Sequence, residues 1–555
     1  MRYARVLVRG TAPPRTVVAR GASRAPGASL LALALSACLP ACLSASVAGC
    51  DDGGAPAEAS AATDGGVAAD ARAQPSPDAA GTLLDAARAV PDAARAFPDD
   101  APTDGAPPRA DAATPRADGS SPAADGSPST DTVPVGHDRE LRGVWVASVY
   151  NINFPRRAGS GAVAQQAELI AILDSVAATG LNAVFLQVRP EGDALYASAI
   201  EPWSRFLTGR QGEDPGWDPL AFALLEAHAR GLELHAWINP FRAKVSAASA
   251  VAANHWTVTL APYARAYGTQ VVMDPGAAPV RAHVVAVVRD LTERYAIDGV
   301  HFDDYFYPYP DGTPFPDQET WQAYLDGGGD LSRDDWRRSN INALIRDSAA
   351  AVRAADPAVR FGVSPFGIYR PGTPPGIAGL DQYAAIYADP VRWTQAGWVD
   401  YLAPQLYWNA TRPQQDYETL LTWWSGLTAG GTFVAAGNNL AKLGDDAGWT
   451  VAEMERQVSI SRALRGHGSL GNVFYNVGPL LEDRDGIVEA LHDAFYARPA
   501  LTPPMPGTAD ARIAPPRVEV EGTTVWLSPG DERELRAFSV YAPAGGGWTL
   551  ERVVP

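Results

Sequence analysis

The sequence has very little cysteine, with three residues in a chain of 555. They are Cys38, Cys42 and Cys50, and the first two fall in an apolar N-terminal segment that we expect to be removed. A mature chain that keeps only Cys50 has no internal disulfide and no cysteine set for a zinc site. Its stability must therefore come from a hydrophobic core.

The sequence also lacks an excess of basic charge and several catalytic signatures. Its formal net charge is -18, which argues against a nucleic-acid partner because phosphate binding needs a basic face. It has no His-Glu-x-x-His motif and no Gly-x-Ser-x-Gly nucleophile elbow. We therefore predict no metal and no cofactor, with only a carboxylate-bound Ca2+ left open. Aromatic residues are plentiful, which suits either a sugar-stacking cleft or a large core.

The first 49 residues have the composition of a bacterial export leader. Six arginines precede an apolar stretch over 29–46, and no acidic residue accompanies them. Val47-Ala48-Gly49-Cys50 resembles a bacterial lipobox, in which the cysteine is lipidated and becomes the first residue. We therefore predict a lipoprotein signal over 1–49, and a membrane anchor on Cys50. The predicted location is the bacterial cell envelope, at the periplasmic face or the outer membrane. The alternative is a plain secretory signal with a fortuitous cysteine.

The segment 50–137 has low complexity and consists mainly of Ala, Asp, Pro, Gly and Ser. Aspartates recur every seven residues in parts of it, but the apolar positions that a coiled coil needs are missing and prolines are scattered through it. We predict a disordered tether that holds the folded part away from the membrane.

From 138 to 500, apolar runs alternate with helical patterns in eight strand–helix units, which predicts a (β/α)8 barrel. An open doubly wound sheet is the runner-up, but no Gly-x-Gly-x-x-Gly follows the first strand. A Pro-rich linker over 501–516 leads to a short β-rich segment over 517–555. That segment is either a partial fibronectin type III-like module or a cap on the barrel. The predicted strands are 141–149, 181–188, 232–238, the start of 298–308, 360–365, 399–407, 432–436 and 471–476.

The fourth strand organises the predicted site. Val300 and Phe302 share one parity and suit the helix layer, while His301 and Asp303 share the other and should face the barrel axis. Asp303 then lies at the carboxyl end of the strand, where barrel enzymes place their chemistry. An isolated Asp-Asp pair is more often a turn, but the aromatic residues around Asp303 and Asp304 favour a site.

Polar and aromatic side chains gather at the same end of the other predicted strands. Taken singly, an arginine there is more often part of a loop salt bridge, and a tryptophan is more often core. Their arrival at one end of successive strands is the stronger signal. They are Arg189, Glu191 and Asp193 after strand two, Asn239 after strand three, Tyr305 after strand four, and Gln405, Tyr407, Trp408 and Asn409 after strand six.

Five segments together resemble the glycosyl-hydrolase-like 10 family, formerly domain of unknown function 187. The resemblance covers about 139–500. It implies a (β/α)8 barrel and a glycoside hydrolase, and some relatives resemble envelope lipoproteins that cut peptidoglycan glycan strands stripped of peptide. The acidic tether and the short C-terminal piece lie outside the pattern. The matching segments are Leu141-Arg-Gly-Val-Trp-Val146, Gln187-Val-Arg-Pro-Glu-Gly-Asp-Ala-Leu-Tyr196, Ala236-Trp-Ile-Asn-Pro240, Asp298-Gly-Val-His-Phe-Asp-Asp-Tyr-Phe-Tyr-Pro308 and Gln405-Leu-Tyr-Trp408.

Glycoside hydrolysis usually needs two carboxyl groups about the scissile bond. Asp303 is the predicted nucleophile or stabilising carboxylate, and we expect Arg189 and His301 to keep it ionised with a low pKa. Asp304, Asp193 and Glu191 are the candidates for proton donor.

The remaining candidates are predicted to hold the polysaccharide. Tyr305, Tyr307, Tyr407 and Trp408 could stack on sugar faces. The side chains expected to bind hydroxyl groups are Arg189, Asn239, Gln405 and Asn409. Glu191 and His301 are also predicted to bind the substrate.

Two other functions compete with hydrolysis. A catalytically inactive barrel lipoprotein that binds envelope glycan explains the aromatics and the anchor without a second carboxylate near Asp303. A carbohydrate esterase or deacetylase would need a metal centre or an activated serine, and the sequence signals neither.

Overall fold

A computed structural model describes residues 3–7, 16–19, 135–428, 430–444, 449–505, 516–521, 524–529, 537–544 and 547–555. Cys50 and nearly all of the predicted tether lie outside these residues, as does most of the predicted linker. Among the described helices, none combines the length and the apolar character needed to cross a membrane.

Eight parallel strands close into a barrel, and each is hydrogen-bonded to the next, with β8 closing onto β1. The predicted (β/α)8 fold is therefore confirmed. The strands form where apolar runs are bounded by glycine, proline or polar residues. They are β1 Leu141–Val146, β2 Ala183–Arg189, β3 Glu233–Ile238, β4 Gly299–Phe302, β5 Arg360–Val363, β6 Tyr401–Leu402, β7 Phe433–Asn439 and β8 Ser469–Tyr475.

Helices follow the strands and cover the outside of the barrel. Several begin at a side-chain N-cap: Asp218 accepts from the backbone of Ala221, and Ser332 from that of Asp335. After β8 the cover is made of short pieces, Gly478–Glu482, Ile487–Glu489 and a π-helix over Ala490–Phe495. The main helices are α1 Ala162–Ala178, α2 Pro219–Ala229, α3 Ala278–Arg294, α4 Arg333–Ala355, α5 Pro390–Gln395, α6 Tyr417–Ser425 and α7 Val451–Ala463.

The two faces of β4 carry different side chains, as predicted. Val300 and Phe302 belong to the large apolar core between strands and helices. His301 points the other way and packs among interior rings, including Phe185 and Tyr401. The parity of this short strand therefore fixes which residues line the axis.

A chain of buried hydrogen bonds runs through the barrel interior. The indole Nε1 of Trp145 donates to Nε2 of His301 at 3.2 Å, and Nδ1 of His301 lies 3.0 Å from the Tyr401 hydroxyl. That hydroxyl lies 2.9 Å from Nδ1 of His235, whose Nε2 lies 3.2 Å from a Glu233 oxygen. Because an indole N–H can only donate, His301 must carry its proton on Nδ1. Burial and the neighbouring His235 hold the pKa of His301 well below its usual range.

Further strands lie outside the barrel. After β3 the chain forms a three-stranded antiparallel sheet from Arg242–Lys244, Gln270–Met273 and Ala264–Tyr267. Before α4, the chain adds a helix over Gln318–Asp326, which the sequence pattern did not indicate.

The C-terminal part is β-rich, as expected, with strands Arg517–Glu521, Thr524–Ser528, Ala537–Ala544 and Gly547–Val554. Two strands near the N-terminus, Tyr3–Leu7 and Thr16–Ala19, pair with Ala537–Ala544 and Thr524–Ser528 respectively. Removal of the predicted leader would take both N-terminal strands with it.

Candidate active site

Asp303 lies one residue beyond β4 and is 4% exposed. Its Oδ2 accepts hydrogen bonds from Nε1 of Trp237 at 3.1 Å and from Nδ2 of Asn239 at 3.0 Å. Trp237 is an interior residue of β3, and Asn239 is the first residue after that strand. The carboxyl group is therefore turned toward the axis, at the carboxyl ends of the strands. Its Oδ1 has only a long contact, 3.5 Å, with the backbone N–H of Tyr305.

Burial controls the ionisation of Asp303. It raises the pKa of Asp303 to about 7, which the charge of Arg242 opposes and the neighbouring Asp304 reinforces. The expected low pKa is therefore wrong, because the loss of solvation outweighs the stabilising groups. Neither Arg189 nor His301 holds the carboxylate: both bind other protein groups.

Asp304 lies beside Asp303 and is 2% exposed. One of its oxygens accepts a hydrogen bond from the Tyr309 hydroxyl. Burial raises the pKa of Asp304, which the hydrogen bonds from Tyr309 and Gln405 partly oppose. Two carboxyl groups with raised pKa values thus lie next to each other, which is typical of acid–base sites.

Partly exposed tyrosines surround the two carboxyl groups. Tyr407 and Tyr475 stack with ring centroids 5.8 Å apart, and Tyr305 and Tyr309 meet edge to face at 5.6 Å. Burial raises the pKa of Tyr407, and the charges of Tyr475 and Asp304 add to this. Such rings can pack against sugar faces while their hydroxyl groups bind polar atoms.

Arg242 begins the strand that follows β3 and is 8% exposed. Its Nε donates to the Pro190 carbonyl at 3.0 Å, and its guanidinium lies 5.2 Å from the Tyr305 ring centroid. Its charge lowers the pKa values of Asp303, Asp304 and Tyr150 against the larger effect of burial. Arg242 is therefore the positive charge of this site.

Arg189 is fully buried and pairs with Glu201, at 2.6 and 2.7 Å. The strand register shifts between Gln187 and Arg189, and the guanidinium stacks 4.3 Å from the Trp256 ring centroid. Burial would raise the pKa of Glu201, but Arg189 and His283 lower it to about 2. In the structure Arg189 anchors a loop and does not reach Asp303.

Glu191 and Asp193 organise the loop after β2. Glu191 holds Arg205 at 2.7 Å and accepts the backbone N–H of Val245. Asp193 is fully buried, accepts from Gln211 and the backbone of Glu191, and has its pKa raised to about 7 by burial and by the Glu191 charge. Both carboxyl groups are thus held by protein donors.

The other candidates divide between the mouth and the protein interior. His301 is fully buried and hydrogen-bonded within the barrel, so it is not placed to bind a substrate hydroxyl. Trp408 is 7% exposed and packs edge to face on Phe366. Tyr307 is 1% exposed and packs edge to face on Phe315, so it has no face open to a sugar, contrary to the prediction. Asn409 caps a turn through Thr411. Gln405 is partly exposed and binds the Ser364 carbonyl at 3.0 Å.

No role at the site was predicted from the sequence for Trp237, Arg242 or Tyr150. Trp237 and Asn239 are two residues apart, so the alternation of side chains along β3 could have predicted that both face the barrel axis. Arg242 ends the Asn-Pro-Phe-Arg run after that strand, but its direction depends on the following sheet. Tyr150 is 59% exposed in a left-handed backbone conformation (φ 56°), and nothing in the local sequence indicates either property.

No group of three or more His, Cys, Asp or Glu side chains is arranged to hold a metal ion in the part of the chain that the structure describes. The site is therefore built from carboxyl groups, tyrosines, one arginine, an indole and amides.

Comparisons with known proteins agree with the site's character. The family model described as Glycosyl hydrolase-like 10 matches residues 140–434. "Glycosyl hydrolase YngK" of Bacillus subtilis is 39% identical over 66% of this chain and 74% of its own length. "Glycosyl hydrolase DigH" of Escherichia coli K12 is 38% identical over 52% of this chain and 70% of its own length.

Among solved structures, the PgaB (BpsB) glycoside hydrolase domain of Bordetella bronchiseptica has a TM-score of 0.44 at 16% identity. The alignment covers 65% of this chain and 99% of that domain. A TM-score this low does not support any conclusion about the function of this chain.

Proposed function

Because the chain belongs to the glycosyl hydrolase-like 10 family and is a glycoside hydrolase by that relationship, we propose that Asp303 is its key catalytic carboxyl group. The observation that carries this proposal is the convergence of Trp237 and Asn239 on one oxygen of a buried carboxyl at the carboxyl ends of the barrel strands. A structural aspartate in a turn has no need of two side-chain donors from a neighbouring strand.

The hydrogen bonds of Asp303 support Oδ1 as its reacting atom. Trp237 and Asn239 both give N–H groups to Oδ2, so a proton on that oxygen would face two donors. Oδ1 therefore carries any proton, and in the ionised state it is the oxygen with the weaker protein contact. Attack on an anomeric carbon, or stabilisation of an oxocarbenium-like centre, would proceed through Oδ1.

We assign the second carboxyl role to Asp304. Its contacts with Tyr309 and Gln405 come from the mouth, whereas Asp193 and Glu191 are occupied within the loop after β2. A proton donor to the leaving oxygen must hold its proton where Asp303 is already ionised, and burial, which raises the pKa of Asp304, acts in that direction. Asp303 and Asp304 then act as base and acid in the same site.

The proposed substrate is an envelope polysaccharide, with peptide-free peptidoglycan glycan strands as the specific candidate. The stacked pair Tyr407 and Tyr475, together with Tyr305, supports a sugar-binding mouth. The predicted lipid on Cys50 would keep the enzyme at the envelope, where such glycans are found.

The decisive experiment is mass spectrometry of products from purified protein incubated with peptide-free peptidoglycan. Wild type is expected to release new reducing ends, and Asp303→Asn to release none while still binding the glycan. Asp330→Asn, an exposed aspartate, is the control. Undiminished release by Asp303→Asn would remove Asp303 from the mechanism, and binding without release by wild type would favour the inactive glycan-binding barrel.

A second experiment separates the possible roles of Asp303. Azide added to Asp303→Ala should yield a glycosyl azide if Asp303 is the nucleophile of a retaining enzyme, since the small anion can take its place. If Asp303 only activates water or stabilises charge, azide should yield no such adduct.

A further inference from the structure

Arg242 differs from the other buried arginines of the described chain. Five arginines there are buried, and a buried charge is normally paired because desolvation is costly. Four of them hold a carboxylate, whereas Arg242 has no ion pair. The four are Arg142 with Glu140, Arg189 with Glu201, Arg337 with Asp317 and Arg360 with Glu233.

The free part of Arg242 is the outer edge of its guanidinium. Nε is used by the Pro190 carbonyl, while the buried Nη2 has no hydrogen-bond partner. Arg265 and Arg333 also have a buried nitrogen without a partner, but each holds a carboxylate through another nitrogen. Arg242 therefore has an unused donor and no ion pair, although its charge acts on Asp303 and Asp304 from a distance.

The position of Arg242 connects this edge with the candidate active site. Its guanidinium lies over the Tyr305 ring, and its backbone N–H is bound by the Oδ1 of Asn239, the residue that donates to Asp303. Two donors in the plane of a guanidinium match the two oxygens of a carboxylate. A neutral sugar hydroxyl would use only one of them and would leave the charge unpaired.

We propose that the outer edge of Arg242 binds the carboxylate of an acidic sugar unit in the substrate, next to the bond cleaved at Asp303. The proposal rests on the proposed function, because it names the substrate class of the same site. The overall charge of the protein does not create this preference, since a net charge of -18 repels an anionic glycan. The recognition must therefore be local.

This inference gives a chemical reason for a preference for peptide-free glycan. In peptidoglycan the lactyl carboxyl group of the muramic acid unit is consumed in an amide bond when a peptide is attached. It becomes a free carboxylate only when the peptide is removed. An arginine that requires a carboxylate would thus distinguish stripped strands from intact ones by charge.

The test compares peptide-free glycan strands with the same strands after their carboxyl groups have been converted to amides. Wild type is expected to show kcat/KM about tenfold to hundredfold higher on the carboxylate form, the range that one charge-assisted bidentate contact gives. In Arg242→Gln the ratio should fall toward one, and Arg242→Lys should retain an intermediate ratio because it keeps the charge without the planar fork.

Arg210→Gln changes an exposed arginine and is the matched control; it should keep the wild-type ratio. A wild-type ratio near one, or an Arg242→Gln variant that slows both glycans equally, would overturn the proposal while leaving hydrolysis intact. Hydrolysis of neither glycan would instead count against the proposed function. Thermal unfolding of each variant shows whether a loss reflects folding.

Discussion

Replacing Asp303 with asparagine is expected to stabilise the protein at neutral and alkaline pH while abolishing hydrolysis. The pKa of Asp303 is raised from 3.8 to about 7 by burial, a difference of about three units. At ~1.36 kcal/mol for each unit, keeping this group ionised in the folded protein costs ~4 kcal/mol as an upper limit. An amide carries no charge and avoids that cost.

The sign of the pH dependence follows from proton binding. Between about pH 4 and 7 the folded protein holds the Asp303 proton more tightly than the unfolded chain does, so wild-type stability falls as pH rises through this window. Above about pH 7 the folded protein carries the full cost of ionising Asp303. Below about pH 4 Asp303 is protonated in both the folded and the unfolded state, and the cost vanishes. Asp303→Asn should therefore gain stability over wild type progressively from pH 4 to 8.

The geometry favours a tolerated substitution. The amide oxygen can accept both N–H groups that now bind Oδ2, and the amide nitrogen replaces Oδ1, whose contact with the Tyr305 N–H is long. Urea unfolding followed by tryptophan fluorescence at pH 4, 6 and 8 measures the difference, with Asp330→Asn as control. A variant that is less stable than wild type at pH 8, or a difference independent of pH, would show that the carboxylate is well paired and refute the reasoning.

Four further predictions concern other parts of the site. The kcat/KM of wild type should rise with pH through about 7 as Asp303 ionises, and this limb should move to higher pH in Arg242→Gln because the charge of Arg242 opposes the raised pKa. Tyr150→Ala should raise KM for the glycan by roughly threefold to tenfold with little change in kcat, as expected for loss of one stacking ring; an unchanged KM would place Tyr150 outside the binding surface. Glu201→Gln should lower the free energy of unfolding at pH 7 by about 3–5 kcal/mol in a urea titration, because Arg189 would be left buried without its partner. That loss should shrink as pH falls toward the pKa of about 2 of Glu201, and a loss constant from pH 7 to pH 3 would contradict it. Tyr401→Phe should cost about 1–3 kcal/mol for each polar group left unbonded, measured by the same titration, and a neutral result would mean that the interior histidines need no hydroxyl between them.

The barrel could be predicted because its strands and helices carry strong local patterns. The sequence over 333–355 has a helical pattern, and helix α4 has those bounds, with Ser332 as its N-cap. The faces of β4 followed from alternation alone. The strand ends were predicted less accurately. The sixth strand was predicted over 399–407, but β6 is only Tyr401–Leu402, because Pro404 interrupts the run.

The sequence predicted which strand end carries Asp303, but not the contacts of the candidate residues. The carboxyl end of β4 was identified, yet the partner of Arg189 is Glu201, which lies in an irregular loop with no periodic signal. The pKa of Asp303 depends on burial by residues from several strands, and no local pattern reports that quantity. From the sequence, Arg242 is only one polar residue after β3, because its lack of an ion pair is a property of the assembled barrel.

The hydrogen-bonded chain through the barrel interior has one fixed direction from donor to acceptor. Starting from the indole of Trp145, each link allows one direction only: His301 donates to Tyr401, Tyr401 to His235, and His235 to Glu233. No single member can reverse its proton without disturbing all the others. These hydrogen bonds hold His301 on the strand that presents Asp303. A change at the far end of the chain, such as Glu233→Gln, would therefore alter the hydrogen bonding of a residue two positions before Asp303.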